Sequence, residues 1–496
     1  MRITGKIGSA SYRRLFALIG ATSIWCVSAV AAIAECSIAL DRDLEQAIQV
    51  AEISPQSTWG VALASLDGTT TYEHSGDRAF VPASNVKLFT TAAALLELGA
   101  DWQTATQVYW NRDRLVLKGR GDPTLTSGHL NELARETVAS LPDGTEIAHL
   151  VLDDGYFQGD PIDPHWEWED TQAGYGAPVN ATIVDRNAIP LTLVPRDVGQ
   201  ALDIVFERED DKAFWQVRNE SQSVSQEESE WLAVGRDWRS ETIVVRGQLI
   251  SGAPPEPVAV SVPDPSARAL EAFRESLAAL GLDVASTAVR SAAFGMGQIV
   301  AERRSPPLRE LVATVNQSSD NLYAEALLRQ LGAQSPDNRH RQTTRELGLQ
   351  EVRAILERDL GLSGDRYVIK DGSGLSRQNS IAPNVFVSLL QRMASAPVAE
   401  AFLRSLPTVG QSGTLASWQP LASGANVRAK TGSMTGIYAL SGYLAPPGQP
   451  TQSPETLAFS LIVNHSDASF GATRSAIAAL LESLDRFQQC RNLAAS

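Results

Sequence analysis

The chain has 496 residues, which is enough for two or three domains, and 43% of them are hydrophobic and 20% charged. Its formal net charge of −15 argues against nucleic acid as a partner, because a protein binds nucleic acid by neutralising phosphates with basic side chains. The six histidines are scattered and neither CxxC nor HExxH occurs, so the sequence predicts no metal site and no bound cofactor.

The N-terminal segment has the pattern of a signal peptide. Four basic residues precede an apolar stretch from Leu15 towards Ala34, which ends in the small-x-small cleavage pattern Ala32-Ile33-Ala34. We predict that residues 1–34 are removed on export, which would take away four positive charges and bring the net charge to −19. No later apolar run approaches the ~18 residues of a membrane span, so we expect no integral span after cleavage. A permanent N-terminal anchor is the alternative interpretation.

A hairpin and a helix are predicted next along the chain. Thr58–Leu66 and Thr69–His74 are rich in strand-forming residues and flank the hairpin-turn signal Asp67-Gly68. Ser84–Gly99 opens just after a proline, is rich in Ala and Leu and ends at a glycine, which predicts a buried helix.

The middle of the chain has a different pattern. From about Thr104 to Thr287 it holds many short strand-like runs, such as Arg114–Lys118 and Glu241–Leu249, separated by polar, proline-rich and acidic stretches. We predict that residues 104–287 form a large inserted β-rich region, built as one module or as two nested ones.

The end of the chain mirrors its beginning. Val427–Ser433, Ile437–Leu444 and Thr456–Asn464 are predicted strands, and Gly471–Phe487 is a predicted amphipathic helix. Two early and three late strands can pair into one five-stranded antiparallel sheet flanked by helices. The sequence therefore predicts an α+β fold, with one domain split between residues 35–103 and 288–496.

The positions of the cysteines are informative about the redox state of the protein's compartment. Cys26 lies in the predicted signal peptide, while Cys36 and Cys490 remain near the two ends of the mature chain. In an oxidising compartment such a pair favours a disulfide, and two free thiols are the alternative.

Three short motifs carry the chemistry, each occurring once. They are SxxK at Ser84–Lys87, SxN at Ser319–Asn321 and KTG at Lys430–Gly432. The chain has 36 arginines and only six lysines, so two lysines in these motifs are unexpected by chance. Arg stays protonated in proteins whereas Lys can be shifted towards neutrality, which indicates that the chemistry requires Lys. Ser84 and Lys87, three residues apart on one helix face, allow an amine to reach a serine hydroxyl and act as its base.

The motifs and their contexts resemble the penicillin-recognising serine enzymes. Within them the chain is similar to peptidase family S13, the D-alanyl-D-alanine carboxypeptidases/endopeptidases known as class C low-molecular-mass penicillin-binding proteins. The resemblance covers nearly all of the mature chain, and the 235 residues from Ser84 to Ser319 match the family's large insertion. It is carried further by six segments: KGRGDPTL at 118–125, LVLDDGYF at 150–157, WEWED at 166–170, YGAPVNATIVDRN at 175–187, SDNLYAE at 319–325 and DGSGLSR at 371–377.

The resemblance implies roles for the motif residues. Ser84 would attack the carbonyl of the penultimate D-alanine, and Lys87 would accept its proton, helped towards neutrality by the charge of Lys430. Ser319 and Asn321 would relay the proton and bind the substrate amide. Lys430 and Thr431 would bind the terminal carboxylate, and the substrate backbone would lie close to Gly432. The backbone N–H groups of Ser84 and Ser433 would form the oxyanion hole.

The family's side-chain pocket maps to a second group of residues. The resemblance places Leu375, Arg377 and Met434 there, with Asp153 or Asp154 as an acid for the free ammonium of a stem-peptide diamino acid. For the two aspartates a solvated turn is an equal alternative.

The resemblance thus predicts an exported periplasmic or cell-wall carboxypeptidase, endopeptidase or both, whose partners are peptidoglycan stem peptides and β-lactam antibiotics. A catalytically silent wall-binding protein on the same fold is one alternative. A serine β-lactamase is another, which the long gap between the first two motifs disfavours.

Overall fold

The computed structural model describes residues 35–46, 49, 56–69, 71–237, 241–291, 297–336 and 342–495. The predicted signal peptide lies outside these residues. Within them, no helix is long and apolar enough to cross a membrane.

The elements alternate between sheet and helix along the chain. The strands are β1 (Thr58–Ser65), β2 (Thr71–His74), β3 (Ala105–Asn111), β4 (Arg114–Lys118), β5 (Ile147–Asp153), β6 (Ala188–Val194), β7 (Asp203–Phe206), β8 (Gln216–Val224), β9 (Trp231–Arg236), β10 (Thr242–Ile250), β11 (Glu256–Ser261), β12 (Val284–Arg290), β13 (Gln298–Arg304), β14 (Tyr367–Val368), β15 (Ser380–Ile381), β16 (Asn426–Met434), β17 (Ile437–Ala445) and β18 (Leu457–Asn464). The α-helices are α1 (35–46), α2 (Lys87–Leu98), α3 (Ser127–Ser140), α4 (Glu209–Phe214), α5 (Pro265–Ala278), α6 (Leu308–Gln317), α7 (Asn321–Gln334), α8 (Thr344–Leu360), α9 (Pro383–Met393), α10 (Ala399–Ser405) and α11 (Phe470–Ala495).

The predicted five-stranded antiparallel sheet is confirmed. Its order is β16-β17-β18-β1-β2, so strands from both ends of the chain meet where β1 pairs with β18, with Thr58 opposite Asn464. Both faces are covered, which explains why β17 and β18 are buried at every position. Alternate residues enter two cores: Ala439 packs on the side of α2 and α9, and Leu440 on the side of α11.

The predicted helix Ser84–Gly99 differs at its start. Residues Ala83–Val86 form a 3₁₀ turn, and the α-helix α2 begins at Lys87. The tighter turn holds Ser84 outside the regular helix, while the Ala/Leu-rich body of α2 is fully buried at Ala92–Leu95. Ser84, the predicted nucleophile, is therefore at a partly exposed corner above a buried helix.

The inserted region contains three further sheets. One has five strands in the order β12-β5-β4-β3-β13 and packs against α3 and α5. Two three-stranded sheets, β8-β10-β9 and β11-β6-β7, enclose a separate core that includes Leu191, Trp215 and Val245. Strand β13 pairs with β3 although it lies after residue 287, so this sheet includes chain beyond the predicted end of the insertion. The division into domains stays a prediction.

The two remaining cysteines form a disulfide. Cys36 and Cys490 are bonded with their Cα atoms 6.0 Å apart, which joins α1 to α11. Cys36, Leu40 and Leu44 are buried in the core between α11 and the five-stranded antiparallel sheet β16-β17-β18-β1-β2. The alternative of two free thiols is therefore wrong for this structure.

Candidate active site

The first motif brings a buried amine to a serine hydroxyl. Lys87 is fully buried, and its Nζ donates hydrogen bonds to Ser84 Oγ (2.9 Å), Asn321 Oδ1 (2.6 Å) and the Ser373 carbonyl (2.6 Å). Ser84 itself is half-buried, so an incoming carbonyl can reach its hydroxyl. The pairing of serine with base is the arrangement that nucleophilic catalysis requires.

The second and third motifs meet beside the first. Ser319 has a φ of 59°, an unusual conformation for a residue with a side chain, and Asp320 caps α7 by accepting a hydrogen bond from Tyr323 N (3.0 Å). This turn places Asn321 at the first position of α7. Lys430 Nζ donates to Ser319 Oγ (2.9 Å) and to the Thr431 carbonyl (2.6 Å). Contacts of 2.6–2.9 Å thus link each lysine to the SxN turn.

Burial sets the protonation of both lysines. It lowers the pKa of Lys87 to about 7, although the carboxylates of Asp371 and Glu325 act in the opposite direction. Burial also lowers the pKa of Lys430 well below its usual value, and the charge of Lys87 adds to this effect. Desolvation is the largest cause for both lysines, and the two positive charges repel each other across the site. A Lys87 amine that is neutral near pH 7 can accept a proton from Ser84.

Gly432 permits a close approach between the KTG strand and the turn that carries Ser84. A Cβ at this position would lie 2.7 Å from the Pro82 carbonyl oxygen and 3.1 Å from Ser84 N. The lack of a side chain lets β16, the edge strand of its sheet, run directly past the turn that carries Ser84. Ser433 follows as an exposed residue on the same strand.

Thr414 is a candidate that the sequence analysis missed. The Thr431 hydroxyl donates a hydrogen bond to Thr414 Oγ1 (2.8 Å), which brings a second hydroxyl to the KTG motif. Thr414 lies in the 3₁₀ turn Gly413–Leu415, and no pattern in the sequence distinguishes it from other loop threonines.

Two buried acids beneath Lys87 were also missed. Glu325 Oε1 accepts hydrogen bonds from Gly372 N (2.8 Å) and Ser373 N (2.7 Å), which holds the Ser373 carbonyl towards Lys87. Asp371 accepts from Gly374 N (2.9 Å) and Ser376 N (2.7 Å) in the same loop. Burial raises the pKa of Glu325 to about 8, with further contributions from the charges of nearby acids. Helix spacing could have identified Glu325, because it lies four residues after Asn321 on α7 and shares its face.

The structure separates the predicted side-chain pocket into two parts. Arg377 donates to the Thr435 carbonyl (3.2 Å), beside Met434, and the half-buried Leu375 is two residues before it. Asp153 is placed elsewhere: it is 4% exposed, at the end of β5, and pairs with Lys118 of β4 at 3.2 Å. Neither Asp153 nor its neighbour contacts a motif residue among the described contacts.

Asp154 is likewise used within the insertion. It accepts hydrogen bonds from Ala181 N (3.0 Å) and Ser266 Oγ (2.5 Å). The interpretation of Asp153 or Asp154 as a pocket acid is therefore corrected, because each carboxylate is already satisfied inside the inserted sheet.

Different acids surround Arg377. Glu167 Oε1 lies 3.2 Å from Arg377 Nε, and Asp170 accepts a hydrogen bond from the Tyr175 hydroxyl (2.9 Å). Asn321 Nδ2 donates to the Tyr175 carbonyl (3.0 Å), so this segment contacts the second motif directly. The signal was present in the acidic WEWED stretch, to which the sequence analysis gave no role.

A metal has no evident place among these residues. Within the described parts of the chain, no three His, Cys, Asp or Glu side chains are grouped so that they could hold a metal ion.

An antiparallel sheet with helices on both faces, combined with a serine hydrogen-bonded to a buried lysine, defines the class of penicillin-recognising serine enzymes. The chain belongs to the D-Ala-D-Ala carboxypeptidase 3 (S13) family, whose sequence model matches residues 40–484. The resemblance seen in the motifs is thereby confirmed.

Relatives and solved structures agree with this assignment. The chain is 30% identical to a D-alanyl-D-alanine carboxypeptidase of Actinomadura sp. (strain R39), over 97% of this chain and 92% of the relative. It is 28% identical to the D-alanyl-D-alanine carboxypeptidase DacB of Haemophilus influenzae, over 75% and 79% of the two chains. The crystal structure of penicillin binding protein 4 (dacB) from Haemophilus influenzae matches with a TM-score of 0.73 at 25% identity, covering 89% of this chain and 98% of that one. The predicted fold class is confirmed.

Proposed function

We propose that this protein is a serine D-Ala-D-Ala carboxypeptidase, and a D-alanyl endopeptidase, that acts on peptidoglycan stem peptides through an acyl-enzyme and binds penicillin covalently. The observation that carries this proposal is the 2.9 Å contact between Lys87 Nζ and Ser84 Oγ. It joins a hydroxyl open to substrate with an amine whose pKa, about 7, suits a general base.

The first half of the reaction forms the acyl-enzyme. The Ser84 hydroxyl gives its proton to Lys87 Nζ as Oγ attacks the carbonyl carbon of the penultimate D-alanine. The backbone N–H groups of Ser84 and Ser433 stabilise the oxyanion of the tetrahedral intermediate. As the C–N bond breaks, the proton that Lys87 took from Ser84 passes through the Ser319 hydroxyl to the leaving amine, which returns Lys87 to its neutral form; Lys430 supports Ser319 from 2.9 Å.

The second half restores the enzyme. Water attacks the ester carbonyl of the acyl-enzyme, gives up its proton to Lys87, and releases the shortened peptide while Ser84 Oγ is reprotonated. Carboxypeptidase and endopeptidase reactions share these steps and differ only in the amine that leaves.

The KTG strand and its neighbour hold the substrate. The charge of Lys430 and the paired hydroxyls of Thr431 and Thr414 suit a terminal carboxylate. Asn321 holds the substrate amide. Leu375, Met434 and Arg377 line the side-chain pocket, with Asp170 and Glu167 as the acids that meet a diamino-acid ammonium in place of the aspartates at 153 and 154.

Export is part of the proposal. The Cys36–Cys490 disulfide supports an oxidising compartment, in agreement with the signal-peptide pattern at residues 1–34. β-Lactams are proposed as covalent ligands, and a structure of the Haemophilus influenzae relative in complex with a β-lactam supports this, at 24% identity and a TM-score of 0.70.

Penicillin labelling tests the proposal in one experiment. Benzylpenicillin should add to the tryptic peptide that contains Ser84, and the wild-type enzyme should release D-alanine from a D-alanyl-D-alanine peptide. Ser84→Ala should abolish both, whereas Ser318→Ala, an exposed serine beside the second motif, should keep both.

Two outcomes would count against it. An adduct that persists in Ser84→Ala would remove Ser84 from its role as nucleophile. A folded wild-type protein that takes up no label would favour the catalytically silent wall-binding protein.

A further inference from the structure

A long groove lies beside the proposed active site. It has a volume of about 1020 Å³ and runs between the segment from Glu169 to Tyr175 and the outer face of the sheet β8-β10-β9. We name it the insertion groove. None of the residues assigned to the chemistry of Ser84 lies in it, so the proposed reaction leaves it without a role.

The wall of the insertion groove is continuous with the active site. Tyr175 forms part of this wall, and its carbonyl accepts a hydrogen bond from Asn321 Nδ2 (3.0 Å). The other end of the same Asn321 amide, Oδ1, accepts from Lys87 Nζ (2.6 Å). The wall is thus only two hydrogen bonds away from the amine that serves Ser84. Tyr175 therefore connects the wall of the groove to the active site.

The strand register identifies the side chains of the floor. Ala233 of β9 and Glu220 of β8 both lie opposite Arg246 of β10, and residues directly opposite each other share a face of the sheet. Val244, two residues before Arg246 on β10, is on the same face, and Arg218 of β8 lies opposite it. The alternate residues of β10, such as Val245, point into the buried core instead. The floor is therefore a mixed surface of arginine and small apolar side chains.

The floor carries exposed charged side chains of both signs. Arg246 Nε and Arg218 Nε lie 2.7 Å and 3.2 Å from the two oxygens of Glu220, so two guanidinium groups share one carboxylate. Each of these three side chains is about half exposed, which leaves the guanidinium groups accessible to a further anion. Glu169, on the opposite wall, supplies a negative charge. This combination suits a ligand that bears both carboxylates and an amine.

An exposed aromatic side chain extends the same face. Trp231 of β9 is 55% exposed, lies opposite Gln248 and continues the row of Ala233. On the wall, Tyr175 is 54% exposed. Flat aromatic rings can pack against the apolar faces of sugars, and both of these rings are accessible to such a ligand.

We propose that the insertion groove binds the peptidoglycan strand that carries the scissile stem peptide, with stem-peptide carboxylates at Arg218 and Arg246 and sugar rings towards Trp231. This inference rests on the proposed function, because it extends the substrate from a terminal dipeptide to the polymer behind it. The groove makes the enzyme selective for polymeric and cross-linked substrate over short peptides, since binding energy from remote parts of a substrate can be used at the reacting centre.

Blocking the groove tests this proposal. Ala233→Trp puts a large side chain on an exposed strand position of the floor, and Arg246→Ala removes one of the two shared cations. We expect the ratio of kcat/KM on cross-linked peptidoglycan to kcat/KM on a short D-alanyl-D-alanine peptide to fall about 10-fold in each variant, as for the loss of an important binding contact. Ile299→Trp, at an exposed strand position of the other inserted sheet, is the matched control and should leave the ratio unchanged.

A binding measurement separates this proposal from the chemistry. In the Ser84→Ala background, sedimentation with purified cell-wall sacculi reports affinity without turnover. Weaker co-sedimentation of both groove variants than of the Ile299→Trp control supports the groove even if the proposed reaction fails. Unchanged co-sedimentation and an unchanged kcat/KM ratio in both variants would overturn it.

Discussion

The catalytic half and the insertion use charged side chains in opposite ways. In the catalytic half, Lys87 and Lys430 are fully buried, and each makes short hydrogen bonds to fixed partners. In the insertion, Arg218 and Arg246 pair with Glu220 on an exposed sheet face, where water screens the charges. Burial shifts the pKa of a lysine, whereas an exposed ion pair stays in contact with solvent. The two regions therefore differ in whether desolvation tunes their charged groups or water screens them.

The largest expected effect separates the two buried lysines. Lys87 must exchange a proton, so Lys87→Arg should slow acylation by a chromogenic β-lactam about 10³-fold or more, because arginine stays charged and cannot act as a base. Lys430→Arg keeps the positive charge that a carboxylate needs, so it should lose less and show its defect mainly in KM on a D-alanyl-D-alanine peptide. Equal acylation rates in the two variants would remove Lys87 from its role as proton acceptor.

The disulfide provides a second way to set the two regions apart. It joins α1 to α11 on the catalytic half, so a Cys36→Ser, Cys490→Ser double variant should lose about 2–4 kcal/mol of unfolding free energy in that half, and the insertion should be unaffected. Hydrogen exchange followed by mass spectrometry reports the two regions separately. Reductant should reproduce the effect in the wild type and add nothing in the double variant, whereas equal loss of protection in both regions would contradict the assignment.

The smallest expected effect is a shift in the pH dependence of the acylation rate. Because Lys87 accepts a proton only when neutral and its pKa is about 7, the acylation rate should fall about tenfold per pH unit below that value and level off above it. Glu325→Gln keeps an oxygen for the N–H groups of Gly372 and Ser373 but removes a charge that raises the pKa of Lys87. The acid limb should therefore move to lower pH.

This shift should be small. The pKa of Glu325 is itself about 8, so its carboxyl group is largely protonated at pH 7. Glu482→Gln, on the exposed side of α11, is the control and should leave the limb in place. A limb that moves upward in Glu325→Gln would show that Glu325 is not a counter-charge to Lys87.

Local patterns predicted the elements, but tertiary contacts decided the site. The strand-forming residues of Ile437–Leu444 and the SxxK spacing are properties of neighbouring residues, and both could be interpreted from sequence. The pairing of Asp153 with Lys118 could not, because it depends on β4 lying beside β5 in parallel. Likewise, the acids at Glu167 and Asp170 become relevant only because Tyr175 contacts Asn321, 146 residues away along the chain.

The pairing of β1 with β18 has a consequence for the order of events during synthesis. β1 can pair with β18 only after Asn464, the partner of Thr58, has been translated. Because these contacts are very distant in sequence, we expect the catalytic half to have a slow folding step. The strands of the insertion find their partners within the chain between Ala105 and Arg304 and can assemble earlier. A nascent chain therefore carries β1 paired only with β2, with its other edge open, for most of its elongation, which is the stage at which it most needs protection from aggregation.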